Sequence, residues 1–137
     1  MIQVLVDADN LPVHRLRNLL RVLPRDEIAL VVAGSGEALG MVDWPSTARI
    51  CHVVGAQAAD AALLAAYRPA DEPLVLASGD KDFSAMVRGH AGPVLVVADR
   101  PAKALRDAAD DIIDPVGRGL DALQVWFDAH LDVPWAG

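Results

Sequence analysis

The chain has 137 residues, a length typical of one domain with a substantial core. Its formal net charge of −7 argues against a general nucleic-acid coating protein, but it allows an enzyme that gathers acids around a metal ion. No apolar run approaches the roughly 18 residues of a membrane span, and Met1 leads directly into a predicted strand without a signal-peptide pattern. The single cysteine, Cys51, excludes an intrachain disulfide and a cysteine-based zinc cluster, and it favours a cytoplasmic location.

Short apolar runs bounded by turn residues alternate with helical patterns along the chain. The runs are typical of buried parallel strands, and they cover residues 2–6, 28–33, 49–54, 73–77, 94–98 and a short sixth run at 111–114. Helical patterns lie between them, and the last one, after Gly119, is amphipathic. This alternation predicts an α/β fold for residues 1–137, a single three-layer domain with a mostly parallel central sheet.

The first predicted helix follows the first strand, with Asn10 as its candidate cap and Pro12 in its first turn. One face of this helix is apolar and the other is basic, with Arg17 and Arg21 one turn apart. A solvated helix surface explains this basic strip. The functional alternative is that the basic strip lies beside an acidic site and contacts the phosphate backbone of a bound nucleic acid.

Three glycines, Gly34, Gly36 and Gly40, follow the second predicted strand in a spacing similar to that of a dinucleotide-binding loop. In a dinucleotide-binding fold this loop follows the first strand, whereas the glycines here follow the second. We therefore predict that they form a flexible loop, in a segment that ends near Trp44. A dinucleotide-dependent enzyme stays open as an alternative.

Two of the predicted strands end in acidic turns. The first runs into Asp7-Ala8-Asp9-Asn10, and the fourth runs into Ser78-Gly79-Asp80-Lys81-Asp82-Phe83. Ligands of open α/β sheets bind at the carboxyl ends of strands, and these acids fit a topological switch point between strands one and four. Asp60, in the first turn of the central predicted helix, points back to the same edge, although the helix dipole alone also accounts for an acid there.

Carboxylates that converge on one point repel each other, which raises their pKa values unless a cation compensates. Mg²⁺ or Mn²⁺ is the usual partner, because these hard cations prefer oxygen ligands. Such a site ionises a water and stabilises a leaving oxygen in phosphodiester cleavage. The candidate catalytic residues and metal ligands are Asp7, Asp60, Asp80 and Asp82, and the candidate supporting residues are Asp9, Asn10 and Ser78. The alternative interpretation is that the acids are helix caps or solvated turn residues.

Three segments together resemble the NYN domain, the branch of the PIN-like nuclease superfamily that includes the LabA-like proteins. They are Val4-Leu5-Val6-Asp7-Ala8-Asp9-Asn10, Ala59-Asp60 and Ser78-Gly79-Asp80-Lys81-Asp82-Phe83. The resemblance covers roughly residues 1–114, and residues 115–137 form a predicted C-terminal helix and tail. It implies a Rossmann-like, PIN-like sheet and a metal-dependent endoribonuclease that hydrolyses RNA.

The resemblance carries roles for individual residues. It implies that Asp7 is the metal ligand after the first strand, that Asp60 is the acid that opens the central helix, and that Asp80 and Asp82 are the acidic pair after strand four. Ser78 matches the hydroxyl residue before that pair.

Other matched positions concern the surroundings of the site. Asn10 matches a supporting asparagine, and Asp9 takes a supporting role because this position varies in the family. Relatives often carry a lysine where this chain has Gln57. The candidate RNA-binding residues are Arg17, Arg21 and Lys81.

Two further functions stay open. A phosphatase of the haloacid dehalogenase type would use Asp7 and Asp9, but the order of Ser78 and Lys103 relative to the acidic pair does not fit that class. A non-catalytic module on the same fold would bind a nucleotide or a partner protein, with anchors among Trp126, Phe127 and Trp135. A homodimer formed through an exposed apolar helix is also open.

Overall fold

The computed structural model describes residues 1–131, which contain six strands and six α-helices. The strands are β1 (Ile2–Asp7), β2 (Ile28–Gly34), β3 (Arg49–His52), β4 (Leu74–Ala77), β5 (Val94–Val97) and β6 (Asp111–Ile113). The helices are α1 (Val13–Val22), α2 (Gly36–Gly40), α3 (Ala58–Ala66), α4 (Ser84–Gly89), α5 (Lys103–Ala108) and α6 (Arg118–His130). A 3₁₀ turn, Lys81–Phe83, leads directly into α4.

The six strands form one sheet in the order β3-β2-β1-β4-β5-β6, and every neighbouring pair is parallel. The order reverses between β1 and β4, so the chain crosses over at this point and leaves a crevice at the carboxyl ends of the two strands. Val6 is in register with Ala77, which makes Asp7 and Ser78 neighbours at that edge. The predicted α/β class, the parallel sheet and the switch point are confirmed.

Helices cover both faces of the sheet, which is why β1, β4 and β5 are buried along their whole length and consist mainly of apolar residues. Successive side chains of a strand point to opposite faces. Val4 and Val6 pack with residues of α1 and α6, whereas Leu5 packs with residues of α3, α4 and α5. The largest buried contributions from the helices are Leu16, Leu19, Leu123 and Phe127 on the first face and Leu63, Val87 and Leu105 on the second.

The segment after β2 differs from the prediction. The glycines do not form a flexible loop, because Gly36–Gly40 is the short helix α2 and the Ser35 hydroxyl accepts a hydrogen bond from the Ala38 N–H at its start. Gly34 has a packing role, since a Cβ there would lie 2.9 Å from the Cβ of Ala8. Strand β3 is also shorter than predicted and ends at His52.

The aromatic residues considered as anchors for a partner have other roles in the described part of the chain. Trp126 and Phe127 are buried in the core beneath α6, so they do not form an exposed contact surface. Trp135 lies outside the described residues. Within residues 1–131, no helix combines the length and the apolar character that a membrane crossing requires.

The start of α6 allows a test of the packing. A Cβ at Gly119 would collide with the backbone carbonyl of Asp114, whereas a Cβ at Gly89, the last residue of α4, would meet open space. We expect Gly119→Ala to lower the free energy of unfolding by about 2 kcal/mol, since backbone must move. Gly89→Ala should be neutral or stabilise by about 0.5 kcal/mol. Urea unfolding measures both, and equal effects would contradict the described packing of α6.

Candidate active site

Asp7 lies at the carboxyl end of β1 and is buried, with 3% of its surface exposed. The hydroxyl of Ser78, the first residue after β4, donates to Asp7 Oδ2 over 3.2 Å. The same hydroxyl accepts from the Asp80 N–H, also over 3.2 Å. Ser78 therefore links the Asp7 carboxylate at the end of β1 to the backbone of the acidic turn after β4. This link is possible because the two strands are neighbours in the sheet.

Asp60 reaches the same point from the first turn of α3. Its carboxyl group lies beside those of Asp7 and Asp80 at the same cleft, and two neighbouring carboxyl groups share a hydrogen bond only when one of them holds a proton. The pKa of Asp60 is raised from 3.8 to about 7. Burial has the largest effect, followed by the hydrogen bond and charge of Asp80 and then by the charge and hydrogen bond of Asp7. Burial also raises the pKa of Asp7, against the opposing effect of the Ser78 hydroxyl.

Three carboxylates converge at this edge. One oxygen from each of Asp60, Asp80 and Asp82 lies within 4.8 Å of the other two. Asp7 joins this group through its contact with Asp60. The sequence alone predicted all four of these acids, and the structure brings them to one place from β1, α3 and the turn after β4.

Asp80 also has the structural role that the cap interpretation predicts. Its Oδ1 accepts a hydrogen bond of 2.9 Å from the Asp82 N–H at the start of the 3₁₀ turn. This bond holds Asp80 and Asp82 in a fixed relation to each other. The capping role and the candidate metal site are therefore compatible at this residue.

The unpaired oxygen of Asp60 tests whether these residues fit a cation. Oδ2 of Asp60 is buried and has no hydrogen-bond partner within residues 1–131. A buried polar atom without a partner costs free energy, and natural proteins rarely leave one without a reason. A donor set made only of oxygens, one of whose residues has a buried carboxylate oxygen without a partner, fits a hard divalent cation.

The acids border a small open cleft. It has a volume of about 160 Å³, and its walls include Asp7, Asp60 and Asp80. Gln57, directly before α3, also lines the cleft and adopts a left-handed conformation with φ of 60°. The loop before α3 therefore brings a neutral amide to the cleft.

Asn10 and Asp9 stabilise the loops around the cleft. The prediction that Asn10 caps α1 is wrong, because its Oδ1 accepts from the Gly79 N–H over 2.8 Å and α1 has no side-chain cap. Asp9 accepts from both the N–H and the hydroxyl of Ser35, with the hydroxyl bond at 2.8 Å. Sequence reasoning missed Ser35, which acts both as the cap of α2 and as the partner of Asp9.

The basic residues have different surroundings. Arg17 donates to the backbone carbonyl of Met41 over 3.1 Å. Arg21 lines a groove with Ile28, the first residue of β2, so it lies at the amino edge of the sheet, opposite the acids. The predicted basic strip beside the acidic site is therefore wrong for Arg21. Lys81 is exposed and lies between Asp80 and Asp82 in the chain.

A partly buried ion pair involves other acids of the same edge. Arg15 of α1 makes two hydrogen bonds to the Asp114 carboxylate, of 2.7 and 3.1 Å, and lies 3.4 Å from Asp99. These acids follow β6 and β5, so they also lie at the carboxyl edge. Arg15 offsets part of their charge, whereas the carboxylates around β1, α3 and the turn after β4 have no ion-pair partner within residues 1–131. No pattern in the sequence indicated this pairing.

Comparison with known proteins adds no assignment to this geometry. No protein-family model matches the chain, and no curated protein matches it.

Proposed function

We propose that this chain is a metal-dependent endoribonuclease that hydrolyses RNA phosphodiester bonds, as its resemblance to NYN domains implies. One observation carries the proposal: carboxylate oxygens of Asp60, Asp80 and Asp82 converge, and Asp60 also has a buried oxygen without a hydrogen-bond partner within residues 1–131. The position at a topological switch point of the sheet supports it, because α/β folds bind ligands there. A cytoplasmic location, favoured by the single cysteine, belongs to the same proposal.

The residues that would hold Mg²⁺ or Mn²⁺ are Asp60, Asp80 and Asp82, with Asp7 beside them. When bound, such a cation supplies positive charge and Lewis acidity for attack of water on a phosphodiester. Ser78 orients the Asp7 carboxylate, and the Asp82 N–H holds Asp80 in place. Because the pKa of Asp60 is raised to about 7, this carboxyl group is partly protonated at neutral pH in the metal-free protein, and it would have to be deprotonated to hold a cation.

The phosphatase alternative lacks support in the structure. The Asp9 carboxylate is occupied by Ser35, so it is not placed to donate a proton to a leaving group. Lys103 pairs with Asp107 over 2.7 Å on the exposed surface of α5. The cleavage experiment below tests the remaining alternative, a non-catalytic binding module.

We expect the purified protein to cleave a circular single-stranded RNA with Mn²⁺ or Mg²⁺ and not with EDTA. A circular substrate has no ends, so its cleavage shows endonuclease action. Asp7→Asn and Asp80→Asn should each lower the rate at least about 100-fold, because loss of a ligand costs at least as much as loss of the groups that orient it. Asp26→Asn, which changes an exposed acid at the amino edge, should retain the rate.

The same experiment separates the alternatives. Cleavage that survives both Asp7→Asn and Asp80→Asn would come from a contaminant. Absence of cleavage in every condition would favour the non-catalytic module.

A further inference from the structure

A second cavity adjoins the acidic cleft. It has a volume of about 340 Å³, and Asp9 borders both spaces. Leu11, Val13 and Leu16 form one apolar wall at the start of α1. Ala38 and Met41 contribute apolar surface from the segment of α2. We call this space the α1–α2 cavity, and its size lies in the range of small-molecule sites.

The polar groups around the α1–α2 cavity are acceptors. Asp9 and Glu37 contribute carboxylates, and Glu37 is exposed and has no ion-pair partner within residues 1–131. The Ser35 hydroxyl donates to Asp9 and accepts from the Ala38 N–H, so its donor is already used. Two carboxylates repel a phosphate or a carboxylic acid. The cavity therefore suits a flat, mainly apolar group that carries N–H donors.

We propose that the α1–α2 cavity binds the base of a nucleotide next to the bond that is cleaved, and that it selects bases with an exocyclic amino group over uracil. The proposal rests on the proposed ribonuclease function, which places an RNA phosphate in the adjoining acidic cleft. Apolar side chains contact the faces of the base, and Glu37 accepts from its amino group. Asp9, whose oxygens already accept from Ser35, adds negative charge beside it. Carboxylates are the side chains that accept from the cytosine amino group in known base readout. Uracil directs carbonyl oxygens at the same carboxylates, which disfavours it.

Nucleoside binding tests this proposal without catalysis. Adenosine, cytidine and uridine are titrated into the metal-free protein up to about 10 mM, and binding is followed by NMR chemical shifts of the protein. We expect cytidine and adenosine to bind at least about 5-fold more tightly than uridine, since one base contact contributes about 1–3 kcal/mol of discrimination. Shifts should be largest for Ala38 and Met41.

Two variants test the two halves of the proposal. Ala38→Leu fills the α1–α2 cavity and should weaken binding of cytidine at least about 10-fold, which corresponds to about 1.4 kcal/mol. Glu37→Gln adds a donor at the rim and should lower the preference for cytidine over uridine about 5-fold. Asp26→Asn removes an equal charge at the opposite edge of the sheet and should change neither value. Circular dichroism confirms that each variant is folded.

The outcomes distinguish this proposal from the ribonuclease proposal. No nucleoside binding up to about 10 mM, equal binding of all three nucleosides, or binding that Ala38→Leu leaves unchanged would overturn the base-binding proposal, even if RNA is cleaved. Selective nucleoside binding with no metal-dependent cleavage would instead overturn the ribonuclease proposal. In that case the cavity would bind the base of a nucleotide in a non-catalytic module.

Discussion

Replacement of Asp60 with asparagine is expected to raise the melting temperature of the metal-free protein by about 10 °C at pH 8. The physical reason is the convergence of three carboxyl groups, one of which, that of Asp60, has a buried oxygen without a partner within residues 1–131. A pKa raised from 3.8 to about 7 corresponds to about 4 kcal/mol between the two protonation states of Asp60. An asparagine amide is neutral and donates to Asp7 and Asp80, so it replaces the proton permanently.

The effect of this substitution depends on pH in a defined direction. Because the folded state holds the Asp60 proton more tightly than the unfolded state, the stability of the wild-type protein falls as pH rises from about 4 to about 7. Asp60→Asn removes this titration. The two proteins should therefore have similar stability near pH 4, and the difference should reach its full value above pH 7. Calorimetric scans between pH 4 and 9 in EDTA measure it.

Metal addition should reverse the order of the two proteins. Mn²⁺ should raise the melting temperature of the wild-type protein in proportion to the logarithm of its concentration once the site is saturated, and it should have little effect on Asp60→Asn. The control is Asp26→Asn, which reduces the net negative charge equally at an exposed position. If Asp60→Asn melts at a lower temperature than the wild type at pH 8, the Asp60 carboxylate is stabilised by its neighbours, and the metal-site interpretation loses its main physical support.

Arg15→Met is expected to lower the free energy of unfolding by about 2 kcal/mol, because it leaves the partly buried Asp114 carboxylate without its two charge-assisted hydrogen bonds and the exposed Asp99 without its nearby cation. Methionine retains much of the apolar stem of the side chain, so the loss reports mainly on the ion pair. The bond between Arg15 and Asp114 connects α1 to the end of β6, residues separated by 99 positions in the chain. Urea unfolding at pH 7 measures the effect.

Two further variants identify the source of this loss. Arg21→Met removes an exposed arginine that has no ion-pair partner within residues 1–131, and it should change stability by less than about 0.5 kcal/mol. Asp114→Asn in the Arg15→Met background should recover part of the lost stability, since it removes one uncompensated charge. A loss that is equal for Arg15→Met and Arg21→Met would show that the ion pair contributes nothing.

The pattern of apolar runs was sufficient to predict the architecture, because a strand buried on both faces must be apolar along its length. Residues 2–6 and 73–77 show this pattern, and both run into acids. Since the carboxyl ends of parallel strands meet at one edge, Asp7, Asp80 and Asp82 were expected together, and Asp60 followed from its place in the first turn of a helix. These inferences depend on local periodicity and on the geometry common to parallel sheets.

The partners of the polar side chains required the tertiary structure. Asn10 stands where the sequence predicts a helix cap. Its side-chain oxygen instead accepts a hydrogen bond from the N–H of Gly79, 69 residues away. Asp9 pairs with Ser35, and Arg15 pairs with Asp114. The reason is the same in both cases, because a polar group at a strand end forms its hydrogen bond with a partner that the fold brings within about 3 Å. The acids at the carboxyl edge all follow strands or begin helices, so the sequence does not distinguish them. The position of α1 determines that Arg15 pairs with Asp114 and Asp99, and the other acids remain as candidate ligands of a cation.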